Sequence, residues 1–281
     1  MFHYLILIWV KIYNMKKIFQ LLCLLIILAG LNACSSDKDQ DNNGDSSQFS
    51  YTLNTGASAN ELLSDTRFTK IVIEAVYVDG FRPEQASLNN LLSFLNNRLH
   101  KPGGISIVER EIPAQSLGNY SIAEVRQLED DIRTQFSLDD TLTIFVLFAD
   151  QSSENDSGNS VILGTAYRNT SLVMFQKTIE ELSGGFNEPS RVNVETAVYE
   201  HEFAHIMGGL VNIGTPLQSD HEDQSNSAHC DVDGCLMSAQ LETFNPLDMM
   251  NIMGSGNSAV RCSMYRRLAS KWREINTIIN Y

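Results

Sequence analysis

The feature that most constrains this chain is a HExxH motif, in which His201 and His205 flank Glu202. Four residues make about one turn of α-helix, so both imidazoles leave the same helix face and can bind one zinc ion. Glu202, beside them, can accept a proton from a water molecule on that ion. An apolar stripe at helical spacing includes both histidines and predicts that this face is buried. Gly208 and Gly209 predict the end of the helix.

Residues 1–33 contain no acidic residue, are mostly apolar and have the pattern of an export signal. A positive segment beginning at Met15 precedes the apolar run, which makes Met15 the predicted start. The run ends at Leu31–Cys34, which resembles a bacterial lipobox. That resemblance implies that Cys34 becomes the lipidated first residue of the exported chain, and an ordinary N-terminal membrane anchor is the alternative. In both cases we expect an exported, membrane-tethered protein. The lipid-anchored form is expected in the cell envelope at the outer membrane, on its periplasmic or surface face.

Residues 34–50 are polar and acidic and predict a flexible tether, because they cannot bury a core. Residues 51–281 are long enough for one domain with a sizeable core. The formal net charge is −14 for the whole chain, and it becomes −17 without residues 1–33, which carry three lysines and no acid. An acidic exported domain argues against a nucleic-acid partner. No second apolar run is long enough to span a bilayer.

Alternating strand and helix patterns predict an α/β domain, with a mixed sheet preceding the metal-binding helix. Strands are predicted at residues 68–78, 105–112, 141–149, 161–167 and 171–175. Helices are predicted at residues 83–100 and 258–280. A further helix follows Ser121, where Glu124 three residues later completes a capping box.

A zinc ion needs more than two histidine ligands, and the candidates downstream are His221 and His229. Four of the six histidines in the chain lie between positions 201 and 229. This clustering is expected if a metal ion selects them.

Two spaced motifs together resemble the metzincin clan of zinc endopeptidases. The first is HExxHxxG, from His201 to Gly208, and the second is His-Cys-x4-Cys-x-Met, from His229 to Met237. Within the clan the chain is most similar to the archaemetzincins and to related bacterial membrane-anchored metalloproteases. The resemblance implies a zincin domain with a mixed twisted sheet, an active-site helix and a C-terminal helical subdomain.

The same resemblance implies roles for particular residues around one catalytic zinc ion. Glu202 would be the general base. Met237 would lie in the tight turn beneath the metal, and Met253, in a similar segment at Asn251–Gly256, is the alternative. The implied zinc ligands are His201, His205 and His229.

This chain departs from the family pattern at the third ligand. Val211 stands at the usual position and cannot bind a metal ion. An insertion, Leu210–Ala228, separates the helix end from His229 and brings in His221 as an alternative ligand. We favour His229, because its spacing to Met237 matches the family.

The cysteines are the second departure. Archaemetzincins bind a further structural zinc ion with four cysteines, whereas after Cys34 this chain has only Cys230, Cys235 and Cys262. In an oxidising compartment we expect a Cys230–Cys235 disulfide instead. A Cys235–Cys262 bridge is the alternative.

The function implied by the resemblance is that of a membrane-tethered, zinc-dependent endopeptidase. Its substrate would be a protein or peptide that adds as a strand along residues 164–175. A non-catalytic zinc-binding or adhesion lipoprotein that retains the protease fold is the alternative, and the presence of Glu202 argues against it. A third hypothesis is a HExxH peptidase whose third ligand is a glutamate, Glu222 or Glu242, but neither has a convincing helix around it.

Overall fold

A computed structural model describes residues 49–115, 118–157, 160–208, 223–231 and 235–241. The predicted signal segment, Cys34, the tether before residue 49 and the predicted C-terminal helix all lie outside these ranges. Among the described residues, no helix is long and apolar enough to cross a membrane.

Strands and helices alternate along the first part of the domain. The strands are β1 (Lys70–Val78), β2 (Gly104–Ile112), β3 (Thr141–Phe148), β4 (Gly164–Arg168) and β5 (Ser171–Met174). The helices are α1 (Ala59–Leu63), α2 (Gln85–Asn96), α3 (Ile122–Ile132), α4 (Gln176–Glu181) and α5 (Arg191–Ile206). A short 3₁₀ helix, Ala239–Leu241, follows them.

The five strands form one mixed sheet in the order β2-β1-β3-β5-β4. β1 is parallel to β2 and β3, and β3 is parallel to β5. β4 runs antiparallel to β5 and forms an outer edge, with an irregularity between Ala166 and Arg168. The predicted α/β class with a mixed sheet is therefore confirmed. Of residues 164–175, along which a substrate strand was expected to add, only those of β4 lie at an edge of the sheet.

Local sequence explains most of these elements. β3 is apolar and buried along nearly its whole length, as a central strand covered on both faces must be. α2 buries leucines at helical spacing, and Ser121 and Glu124 form the predicted capping box at the start of α3. α1 and α4 were not predicted, because helices of five and six residues carry too short a periodic pattern.

The core has two parts. The larger apolar cluster includes buried residues of α2 and α5, and the smaller one includes Val125 and Leu128 of α3. α5 packs against α2, α4, β4 and β5. This packing places the HExxH helix beside the antiparallel edge of the sheet.

Candidate metal centre

The HExxH motif occupies the last turns of α5. Ser190 caps the start of the helix, where its hydroxyl accepts a hydrogen bond from the Asn193 amide at 3.3 Å. The helix ends at Ile206, and Gly208 follows with a φ of 81°. Glycine adopts this left-handed conformation without steric cost, so the chain can turn sharply after the second histidine.

A buried carboxylate, Glu195, fixes the orientation of α5. It accepts hydrogen bonds from the Glu84 amide at 2.9 Å, from Gln176 Nε2 at 2.6 Å and from the Ser87 hydroxyl. Burial raises the pKa of the Glu195 carboxyl, whereas these donors favour its charged form. The donors come from the start of α2 and of α4, so one side chain joins three helices.

Three buried histidines converge at the end of α5. Ligand nitrogens of His201, His205 and His229 all lie within 4.8 Å of one another. His201 Nε2 and His205 Nε2 are 3.1 Å apart. Among the described residues, this is the group of histidine, cysteine and carboxylate side chains that could hold a metal ion.

The turn that contains Met237 orients His201. His201 Nδ1 lies 2.6 Å from the Leu236 carbonyl oxygen, which can only accept, so Nδ1 carries the proton. Nε2 is therefore the nitrogen with a lone pair. The turn itself is closed by a hydrogen bond from the Ser238 amide to the Cys235 carbonyl at 3.0 Å, and Met237 is fully buried. A backbone carbonyl thus sets the tautomer and ring plane of one candidate ligand.

A short ordered loop orients His229 in the same way. His229 Nδ1 lies 3.0 Å from the Ser227 carbonyl oxygen, which again leaves Nε2 as the nitrogen with a lone pair. The His229 amide donates to Asn226, and its carbonyl accepts from the Asp223 amide. Ala228, directly before it, has a φ of 68°, a left-handed conformation that costs energy for alanine and is held by these contacts.

The donor set fits a zinc ion. In a tetrahedral site, zinc–nitrogen bonds of about 2.0–2.1 Å put two nitrogens about 3.3–3.4 Å apart. The 3.1 Å separation of His201 Nε2 and His205 Nε2 is close to this value. Burial and the neighbouring His201 and His229 lower the pKa of His205 well below its ordinary value, so it stays neutral. Neutral imidazoles are the form that binds zinc.

Glu202 lies on the same turn of α5 and is buried beside the edge strand. A Cβ atom on Gly164, the first residue of β4, would stand 3.0 Å from Glu202 Oε1 and 2.8 Å from Val198 Cγ1. The absence of a side chain at Gly164 therefore makes room for the Glu202 carboxylate. This carboxylate lies between α5 and the edge of the sheet.

The structure brings together the histidine ligands that were favoured from the sequence. His229 is the third member of the cluster among the described residues. His221 and Met253 lie outside the described residues, as do Glu222 and Glu242.

The predicted Cys230–Cys235 disulfide is wrong. Cys235 is disulfide-bonded, and its partner is not Cys230. The Cys230 amide donates to the Met237 carbonyl at 2.6 Å. Met237 therefore lies opposite Cys230, and Cys235 Sγ accepts from the Met237 amide inside the turn. The alternative partner, Cys262, lies outside the described residues.

Sequence reasoning missed three contributors to the site. These are the carbonyl of Leu236, the bare backbone of Gly164 and the buried Glu195. A backbone carbonyl leaves no sequence signal, and the role of Gly164 depends on two elements that only the fold brings together. Glu195 was detectable, because it interrupts the apolar stripe of α5 one residue after Val194.

The fold and the site define an α/β domain with a buried three-histidine centre that fits zinc. No protein-family model matches the chain, and no curated protein is found similar to it. Among solved structures, the chain is similar to an archaemetzincin from Methanopyrus kandleri. The TM-score is 0.40 at 13% identity, over 64% of this chain and 86% of that chain. A likeness this distant assigns the chain to no family.

Proposed function

We propose that this protein is a zinc-dependent endopeptidase that binds one catalytic zinc ion. The observation that carries the proposal is the convergence of His201, His205 and His229, with Glu202 on the same helix turn. Three imidazoles leave one position on a tetrahedral ion for water or substrate, which is the pattern of catalytic rather than structural zinc sites.

Each residue has a definite task in this proposal. Zinc, when bound, lowers the pKa of water and polarises a carbonyl group. Glu202 Oε1 accepts a proton from the attacking water and then donates it to the departing amine. The Leu236 and Ser227 carbonyls hold His201 and His229 in the required tautomers. Burial excludes bulk water and strengthens these interactions.

The substrate would be a peptide in extended conformation that adds to the edge of the sheet along β4. An edge strand presents unpaired backbone groups, and β4 begins at Gly164, directly beside Glu202. A peptide added there has its backbone next to the general base.

The proposal includes attachment to the outer membrane through a lipid on Cys34, with the domain on the periplasmic or surface face. It rests on the lipobox-like end of the signal segment and on the acidic tether. The acidic charge of the exported chain disfavours nucleic acid as a partner. Growth with a radiolabelled fatty acid tests the anchor, since label should enter the wild-type chain and not a Cys34→Ala variant.

The first test of the function is the zinc content of a soluble chain that begins after Cys34. We expect about one tightly held zinc ion per chain, because the three histidines are buried and already oriented. His201→Ala and His229→Ala should each lose it, and circular dichroism should show that both variants are folded. Absence of zinc from the folded wild-type chain would refute the proposal.

Gly164→Ala tests the fit between the edge strand and the general base. The new methyl group would meet Val198 and Glu202 at 3.0 Å or less, so the carboxylate must move. We expect kcat to fall about 10–100-fold with zinc content unchanged, since small misplacements of a catalytic group cost about this much. Gly118→Ala is the matched control, because its methyl group would meet no atom within 4 Å. Equal activity of both variants would contradict the assignment.

A further inference from the structure

The outer edge of β4 offers few backbone groups to a substrate. The Met174 carbonyl accepts from the Ala149 amide, so the backbone groups of Met174 point toward β3. The Phe175 amide donates to the Leu163 carbonyl, so the backbone groups of Phe175 point toward β4. Strand groups alternate in direction. The amides and carbonyls of Gly164 and Ala166 therefore point to the outer edge.

A segment near the start of the domain covers the rest of this edge. We call residues Ser50–Thr55 the strap. The Thr55 hydroxyl donates to the Ala166 carbonyl at 3.0 Å, and the Leu53 carbonyl accepts from the Asn169 amide at 3.0 Å. The Asn169 side chain makes two further hydrogen bonds to the strap. Its Nδ2 donates to the Ser50 carbonyl at 2.9 Å, and its Oδ1 accepts from the Leu53 amide at 3.1 Å.

Cation–π contacts and a hydrogen bond of Tyr51 anchor the strap. The guanidinium of Arg133 lies 4.5 Å from the centre of the Tyr51 ring, and that of Arg168 lies 5.4 Å from it. The Tyr51 hydroxyl donates to Asp130 at 3.2 Å. Tyr167 and Arg168, in an edge strand, are buried, and the Tyr167 carbonyl accepts from Arg126 at 2.9 Å. The second half of β4 is thus closed to a further strand.

We propose that the strap ends the substrate cleft at Ala166, so that the enzyme binds only about three residues on one side of the scissile bond. This inference rests on the proposed function. A cleft lined by the whole of β4 would accept a longer extended peptide. The strap therefore makes the chain selective for two kinds of peptide. One kind has few residues on that side of the scissile bond, and the other has residues there that turn away from β4.

The side that is limited follows from strand direction. β4 runs from Gly164, beside Glu202, toward Arg168. An antiparallel substrate strand has its N-terminal end near Arg168 and its scissile bond near Gly164, and antiparallel pairing is the more stable per residue. The strap therefore limits the residues that precede the scissile bond.

The test is a series of peptides with one cleavable bond and one to six residues before it. For the wild-type chain, kcat/KM should rise up to about three residues and then stay level or fall. For a Tyr51→Ala/Thr55→Val double variant, kcat/KM of the longest peptides should rise about tenfold, while that of the shortest stays unchanged. Thr52→Ala is the matched control, since Thr52 is an exposed strap residue whose hydroxyl pairs with Ser50.

Two results would overturn the inference. One is a wild-type kcat/KM that keeps rising from three to six residues. The other is a response of the double variant equal to that of Thr52→Ala. If Tyr51→Ala unfolds the double variant, Thr55→Val alone tests the same point, because valine keeps the shape of threonine and loses the donor to Ala166.

A second readout does not depend on turnover. Amide hydrogen exchange on Glu202→Gln, with a saturating six-residue peptide, should show protection at Gly164 and Ala166 and none added at Arg168 or Asn169. Protection that extends along the whole of β4 would overturn the inference. If the wild-type chain cleaves no peptide but this limited protection is seen, the proposed function fails, while the strap is still shown to end the peptide-binding edge at Ala166.

Discussion

Glu202→Gln is expected to lower kcat/KM for peptide hydrolysis by about 10²–10⁴-fold, because glutamine cannot accept the proton of the attacking water. Zinc content should stay at the wild-type value, since the three histidines and the carbonyls that orient them are untouched. Glutamine has nearly the same shape as glutamate, so the approach of Gly164 is preserved. The measurements are steady-state hydrolysis of a peptide and zinc by atomic absorption on the same preparation.

Glu200→Gln is the matched control for this variant. Glu200 lies two residues earlier on α5, and burial raises the pKa of its carboxyl to about 7. Its charge interacts with that of Arg98. We expect its kcat/KM to stay within about threefold of the wild type. An equal loss in both variants would mean that the charge of the helix, and not proton transfer by Glu202, supports activity.

The same pair of variants separates the proposed enzyme from its alternative. A non-catalytic zinc-binding lipoprotein would hold one zinc ion in the wild type and in both glutamine variants, with no hydrolysis in any of them. The buried position of Glu202 favours the enzyme, because a buried carboxylate carries a desolvation cost that a pure binding site need not bear.

Periodicity was sufficient to predict every strand of the described sheet to within three residues at each end. The apolar run of β3 and the β-branched run of β1 have few competing interpretations. The strand order could not be predicted from the sequence, because β5 lies between β3 and β4 through contacts between residues distant in sequence. It is this order that leaves β4, and not β5, at the edge.

The metal centre was predictable in proportion to how local its residues are. His201 and His205 follow from helical spacing alone. His229 required the spacing to Met237, since it lies 23 positions after the helix end at Ile206. The strap could not be predicted, because its contacts join Thr55 to Ala166 and Leu53 to Asn169, and no spacing rule connects such pairs.

Buried acids mark the other limit of sequence reasoning. Glu74, on β1, accepts hydrogen bonds from Arg110, from both donors of Thr134 and from the Gln135 amide. A glutamate within a strand pattern is predicted to face solvent. Its burial depends on partners up to 61 positions away that only the folded chain supplies.

Glu129→Ala is expected to have the largest effect on stability, a loss of about 3–5 kcal/mol in the free energy of unfolding. The side chain of Glu129, on α3, is fully buried between two arginines. Its carboxylate lies 2.6 Å from Arg133 Nη1 and 2.8 Å from Arg168 Nη1, and it accepts from the Ser171 hydroxyl at 2.6 Å. Alanine would leave Arg133 buried without a counter-charge. Urea denaturation of the zinc-loaded chain measures the loss.

Two further variants serve as controls for Glu129→Ala. Asp131→Ala, on the same helix, removes an exposed carboxylate that accepts from Gln127 at 3.0 Å, and it should change the free energy of unfolding by less than about 0.5 kcal/mol. Glu129→Gln keeps an acceptor oxygen and loses the charge, so its loss should lie between those of the two alanine variants. Because Arg133 and Arg168 also hold Tyr51, Glu129→Ala should loosen the strap as well. A loss below about 1 kcal/mol would show that water enters and solvates the arginines, and that the network does not hold α3 to the sheet.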